Sequence, residues 1–290
     1  EGLCDPAQPH GSAAAIGAAA MGLGGIAQAL CAGRGILNQR RRLWQQRRLL
    51  VIGALAVAIY PLAFYGAMRL AGVTVGTVIT IGSAPLLSAL IEYLLDGRRL
   101  TLRWSFGAAV GLIGMGLICL AEGDAHGSAV SAPSVPLGVL LGLIGGFTYA
   151  LYSWSARRMM LQGTRSAVAM GATFGLGGLL LMPVLAVSGG VFLASWTNAA
   201  VGLYMAAVPM FLGYIAFGYG LARVEASTAT VITLFEPVVA AVLAVVIVGE
   251  RLPPLGWVGV ALVIGCLAII TLPAPRRLRR HTPAPPPRAT

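Results

Sequence analysis

Residues 226–252, ASTATVITLFEPVVAAVLAVVIVGERL, stay apolar for longer than the roughly 20 residues a helix needs to cross a bilayer. The chain repeats this pattern. Apolar spans are read at 12–33, 49–70, 74–95, 104–121, 135–156, 167–188, 195–221, 226–248 and 255–273. In hydrocarbon every backbone N–H and C=O has to find its partner inside the protein, which restricts such spans to helices. The fold class is therefore an all-α integral membrane protein with nine transmembrane helices. Composition agrees: 58% of the residues are hydrophobic and 10% are charged, where a soluble domain carries about 25% charged residues.

The net charge of +11 does not indicate nucleic acid. The chain has no lysine, and its arginines sit in short segments between spans. With residues 34–48 (RGILNQRRRLWQQRR) in the cytoplasm and alternate crossings thereafter, 18 of the 20 arginines fall on the cytoplasmic side. Only Arg69 and Arg251 fall outside, together with the acidic loop AEGDAHGSAVSAPS at 121–134. This places a multi-pass protein in the plasma membrane with a cytoplasmic C-terminus. Trp44, Trp104, Trp196 and Trp257 lie at span ends, as interfacial anchors do. The four cysteines are scattered singly and the three histidines lie in loops or tails, so neither a metal site nor a cofactor is expected.

Two penalties coincide inside the 226–248 span. Glu236 puts a carboxylate near mid-membrane, and Pro237 deprives the Thr233 carbonyl of its helical donor. Glu236 is read as a group that binds a cation, an amine or a proton; the structural alternative is a protonated carboxyl that locks helix packing. Thr233 shares its face. Glu92 lies near a span end, close to Arg98 and Arg99, and reads as an interfacial ion pair or a snorkelling carboxyl rather than a substrate site. Tyr60, Tyr149 and Tyr214 fall inside spans, where a hydroxyl needs a partner or a wet cavity, and are expected to line one. Tyr152 and Trp154 read as residues of the inner interface. Pro61, Pro85, Pro183 and Pro209 also fall within spans; Pro85 and Pro237 are read as matched hinges. Glycine clusters such as GLGG (22–25), GAAVG (107–111) and GATFG (171–175) read as sites of tight helix packing.

Pro85 and Pro237 match because the chain repeats itself. TVIT occurs at 77–80 and again at 230–233, DGRRL (96–100) aligns with GERL (249–252), and Gly107 aligns with Gly259. The offset is about 152–153 residues, and the two copies cross the membrane in opposite directions, as in inverted-repeat transporters. The second copy has five spans and the first has four, so the expectation is a ten-helix protein whose first helix is missing here. The domains are then 1–125, the first repeat without its first helix; 126–273, the second repeat; and 274–290, a disordered, basic, proline-rich tail.

TVITLFEPVVAAVLAVVIVGERLPPLGWVGVALVIGCLAII resembles the second EamA repeat of the drug/metabolite transporter superfamily, and the stretch from RLAGVTVGTVIT to ICLAEG resembles the first. The resemblance covers roughly residues 12–272. It implies two inverted five-helix repeats around a central cavity, and secondary transport of a small metabolite such as an amino acid, amine or drug-like compound. The direction expected is export by alternating access. Glu236, Thr233, Tyr60, Tyr149 and Tyr214 would bind substrate, with Pro85 and Pro237 as hinges. The partners expected are the substrate, protons and the lipid bilayer. A non-transporting scaffold and an integral-membrane enzyme are the alternatives. No HExxH, GxSxG or paired-carboxylate motif supports the enzyme.

Overall fold

The computed structural model describes residues 9–125, 134–248 and 253–272. The tail, most of the acidic loop and the GERL segment lie outside the described residues. Among the described residues there is no strand. Nine long helical segments run as α1 (Pro9–Cys31), α2 (Arg47–Ala71), α3 (Val73–Asp96), α4 (Leu102–Ala125), α5 (Val135–Leu161), α6 (Ser166–Ser188), α7 (Trp196–Leu221), α8 (Ala226–Ile247) and α9 (Pro254–Thr271). α2 to α9 are long and apolar enough to span a membrane; α1 is apolar over Ala15–Cys31. The arginine-rich segment after α1 is itself helical, in two short pieces, Gly33–Asn38 and Arg40–Gln45. α5 runs five residues beyond its expected end.

The arginine-bearing loops gather at one end of the bundle. Arg42 donates to the Gly163 carbonyl, and Gln46 accepts from Thr164 Oγ1 at 2.8 Å. Arg98 pairs with Glu225, and Arg103 donates to the carbonyls of Ile269 and Leu272. This end is called the basic end below. α2 and α3 are joined at the opposite end by Gly72 alone, at φ 89°, a backbone that a side chain would strain.

Helices that correspond under the repeat pack against each other: α1 on α6, α3 on α8, and α4 on α9. α2 and α5 form a further extensive contact near the centre. In lipid such contacts depend on close backbone approach, and glycine supplies it. A Cβ on Gly178 of α6 would lie 2.6 Å from the Gly22 carbonyl oxygen of α1. Gly114 of α4 and Gly259 of α9 face each other, and a Cβ on either would lie 2.8 or 2.5 Å from the other's carbonyl oxygen. Gly107 and Gly111 abut Ile270 and Cys266 in the same seam. Trp104 stands at the start of α4, at a span end as expected, but neighbouring helices cover it. It is buried at 8% exposure, near Glu92 of α3, Ser227 of α8 and Ile270 of α9.

Proline affects the helices unequally. α2, α3 and α6 pass through Pro61, Pro85 and Pro183 as α-helix. α7 widens to a π-type stretch over Ala206–Gly213 around Pro209. α8 tightens to a 3-10 turn at Thr233–Phe235 before Pro237. There the Glu236 amide donates to Thr233 O, the carbonyl that Pro237 leaves without its usual i+4 donor.

Gly259→Ala is expected to destabilise the protein by about 1–3 kcal/mol, the cost of overpacking a tight contact. Gly116→Ala, where an added Cβ meets nothing within 4 Å, is expected to be neutral or stabilising. Thermal unfolding of the two variants in detergent checks the contrast.

Candidate functional site

The break in α8 sets the position of Glu236. The 3-10 turn rotates the helix at mid-span, and Glu236 begins its second half. A cavity of about 450 Å3 opens beside it, with walls from α1 (Gly17, Ala20, Met21), α2 (Tyr60, Pro61, Phe64, Tyr65), α3 (Ile81), α5 (Tyr149) and α7 (Met205, Pro209, Met210, Gly213, Tyr214). Glu236 is the one charged side chain among these lining residues. Protein atoms surround it, yet it keeps substantial accessible surface and is one of the residues that line the cavity. Among the described residues none donates a hydrogen bond to its carboxylate, which leaves the group available to a ligand, water or a proton.

Tyr60, Tyr65, Tyr149 and Tyr214 all lie within electrostatic reach of Glu236. The rings form a continuous set. Tyr60 is 5.5 Å from Tyr149 and 5.8 Å from Phe64, centroid to centroid, and Phe64 is 5.3 Å from Tyr65. Such spacings fall in the favourable range for aromatic pairs, so the cage has a defined shape rather than a set of loose rotamers. Thr233 does not line the cavity. Its hydroxyl donates to Thr230 O at 2.8 Å and lies in hydrogen-bonding reach of Tyr149, so it holds a cavity tyrosine from behind.

Toward the basic end the cavity is stoppered by rings. Tyr152 lies one helical turn beyond Tyr149 and is fully buried. Its hydroxyl bonds that of Tyr214 at 2.8 Å, and its ring sits 5.2 Å from Tyr149 and 5.3 Å from Phe174. Phe174 in turn is 4.6 Å from Tyr214. The sequence reading put Tyr152 at the interface because it ended the span at 156; the helix continues to Leu161, which moves Tyr152 inward. Its spacing of three residues from Tyr149 was the available signal. Tyr65 was also passed over, although it follows Phe64 on the cavity side of α2.

The π-type stretch of α7 contributes in a similar way. The Tyr214 amide donates to Phe211 O, and the Met210 carbonyl accepts from Gln28 Nε2 of α1 at 2.8 Å. Gln28 is 3% exposed, so this polar bond is made inside the bundle and ties α7 to α1 next to the cavity. Pro85 lies buried in an unbroken α3, whereas Pro237 stands directly after the distorted turn of α8.

The arrangement is that of a membrane carrier: a helical bundle, a mid-membrane cavity, one carboxylate within it and a stopper toward one end. The profile of the EamA-like transporter family matches residues 7–120 and 136–272, and the chain belongs to that family. It is 30% identical over 79% of its length to an uncharacterized transporter, YwfM, of Bacillus subtilis, covering 74% of that protein. It is 28% identical to a probable terminal-alkyne amino-acid exporter of Streptantibioticus cattleyicolor, over 88% of this chain and 84% of that one. A solved structure with 22% sequence identity shares the fold, with a TM-score of 0.72 over 93% of this chain and 89% of the other.

Tyr214→Phe is expected to cost about 1–3 kcal/mol, because it leaves the buried Tyr152 hydroxyl without its partner. Tyr152→Phe combined with Tyr214→Phe should recover most of that loss. A double-mutant cycle in thermal or denaturant unfolding measures the coupling.

Proposed function

We propose that the protein is a secondary active exporter of a small amine-bearing metabolite, an amino acid or an amine, working by alternating access across the plasma membrane. The observation that carries this reading is a mid-membrane cavity whose single charged lining residue, Glu236, stands among four tyrosines. A desolvated ammonium group is attracted by a carboxylate and by the faces of aromatic rings. The methionines Met21, Met205 and Met210 supply adaptable apolar surface for the rest of the molecule. The relative named for export of a terminal-alkyne amino acid supports the same class of cargo.

Glu236 exchanges cargo against a proton. Ionised, it holds the ammonium; protonated from the opposite side, it releases it, and the proton is carried inward as the empty carrier returns. Tyr60, Tyr149 and Tyr214 bind the cargo directly and Thr233 supports Tyr149. Pro237, with the 3-10 turn before it, and Pro85 are the positions at which α8 and α3 flex. The repeats divide at the 126–133 loop, and the arginine-rich end, with the C-terminus, faces the cytoplasm.

In proteoliposomes, Glu236→Gln is expected to lower proton-driven flux of amino acids and primary amines by more than about tenfold, the loss of one charge-assisted interaction. The variant should fold, since Glu236 makes no protein contact that glutamine would break. The measurement is internal pH by a trapped dye, with each compound of the panel added in turn. Undiminished flux with the pH dependence of the parent protein would remove Glu236 from the coupling step.

A further inference from the structure

Among the described residues Glu92 makes no ion pair with Arg98 or Arg99, although Arg157 of α5 lies within its electrostatic reach. Glu92 is 4% exposed, and its Oε1 accepts a hydrogen bond from the Ala226 amide at 2.8 Å. Ala226 is the first residue of α8, and the side chain of the preceding residue, Glu225, makes no capping bond. A helix start leaves amide donors without intrahelical partners and carries a partial positive charge. Here a carboxylate from α3, 134 residues away, supplies the cap in place of a local one. Arg98 pairs instead with Glu225. Asp96, one turn beyond Glu92, accepts from Arg158 Nη1 at 2.7 Å and from Trp154 Nε1 at 2.8 Å, both on α5. Arg157 of α5 donates to the Leu221 carbonyl at the end of α7 at 2.8 Å.

Every bond that Glu92, Asp96 and Arg98 make through their side chains therefore crosses from α3 and its following loop to α5 or to the start of α8. All lie on the basic-end side of the Tyr152 stopper. The offset of 152 shared by Pro85 and Pro237 and by Gly107 and Gly259 places Ala244 opposite Glu92 in the second copy, and Val248 opposite Asp96. The two ends of the bundle thus differ: a carboxylate stands where the other copy has apolar residues.

We infer that Glu92 is a gating residue: its cap on the first turn of α8, reinforced by Asp96 and Arg98, latches the basic end closed while the cavity at Glu236 faces the opposite end. Opening the basic end pulls α3 from α8 and α5. That movement exposes the Ala226 amide and the Glu92 carboxylate to the entering water, which replaces their mutual bond. The latch sets the balance between the two faces of the carrier, and α8 carries both the latch at its start and the cargo carboxylate at its middle. The inference rests on the alternating-access reading but not on the role of Glu236 or on any particular cargo.

The test is made on purified full-length protein in detergent, where both ends are reachable, and needs no substrate. Single cysteines replace Ser227, which is 1% exposed directly behind the latch, and Met205, which lines the cavity, in separate proteins lacking the native cysteines. Each is labelled with a polar maleimide with and without Glu92→Gln or Glu92→Ala. Loss of one charge-assisted hydrogen bond shifts a two-state balance by about tenfold. The expected result is labelling at 227 faster by about that factor and labelling at 205 slower, with Glu92→Ala at least as strong as Glu92→Gln. The opposed changes mark a shift between faces, which general loosening cannot produce. Acceleration at both positions, no change at 227, or an unchanged rate at 205 would overturn the inference. Failure here leaves the Glu236 flux measurement standing, and the reverse holds as well.

Discussion

A backbone carbonyl in hydrocarbon has to find a donor within the protein, and at Thr233 the usual donor is missing because residue 237 is proline. The chain resolves this locally by tightening one turn, so that the Glu236 amide serves the orphaned oxygen. The same adjustment turns the Glu236 side chain into the cavity between α2, α5 and α7. α7 meets a comparable demand at Pro209 by widening, and Gln28 of α1 serves one of its carbonyls. Both distorted helices border the cavity, whereas α2 accommodates Pro61 without leaving the α-helical path. The cavity thus forms where two backbones depart from regular helix and leave room between them.

The two copies of the repeat meet through backbone rather than through large side chains. Gly22 against Gly178 and Gly114 against Gly259 bring paired helices close enough for dispersion and weak polar contacts to act where no hydrophobic drive between helices exists. These seams treat the copies alike. Chemistry separates them: Glu236 has Ser83 or Ala84 rather than an acid at its counterpart position, and Glu92 has an apolar counterpart. The duplicated frame thus carries one carboxylate at mid-span in its second copy and another, buried, near the basic end in its first.

The membrane class, the helices and the repeat were legible because apolar length and small-residue spacing are local properties of the chain. The tyrosines of the cage were legible as polar tips in apolar spans, and Tyr60, Tyr149 and Tyr214 do converge. Their neighbours were harder to place. Tyr152 stands close to a span end that the sequence set five residues too short, which made a buried residue resemble an anchor. Thr233 shares a face with Glu236 in the sequence, and its hydroxyl bonds Thr230 and lies in reach of Tyr149. Glu92 was misread for another reason. Its partner is an amide far along the chain, and no periodicity within α3 announces the helix start that settles over it.

Gly72 gives the first repeat a mechanical property. With one residue between them, α2 and α3 form a stiff fork with almost no slack at the bend. One tine carries the aromatic wall at Tyr60 and Tyr65; the other ends in Glu92 and Asp96, about 30 Å from the bend at 1.5 Å per residue. A turn about Gly72 would displace Glu92 and Asp96 farther than the residues next to the bend.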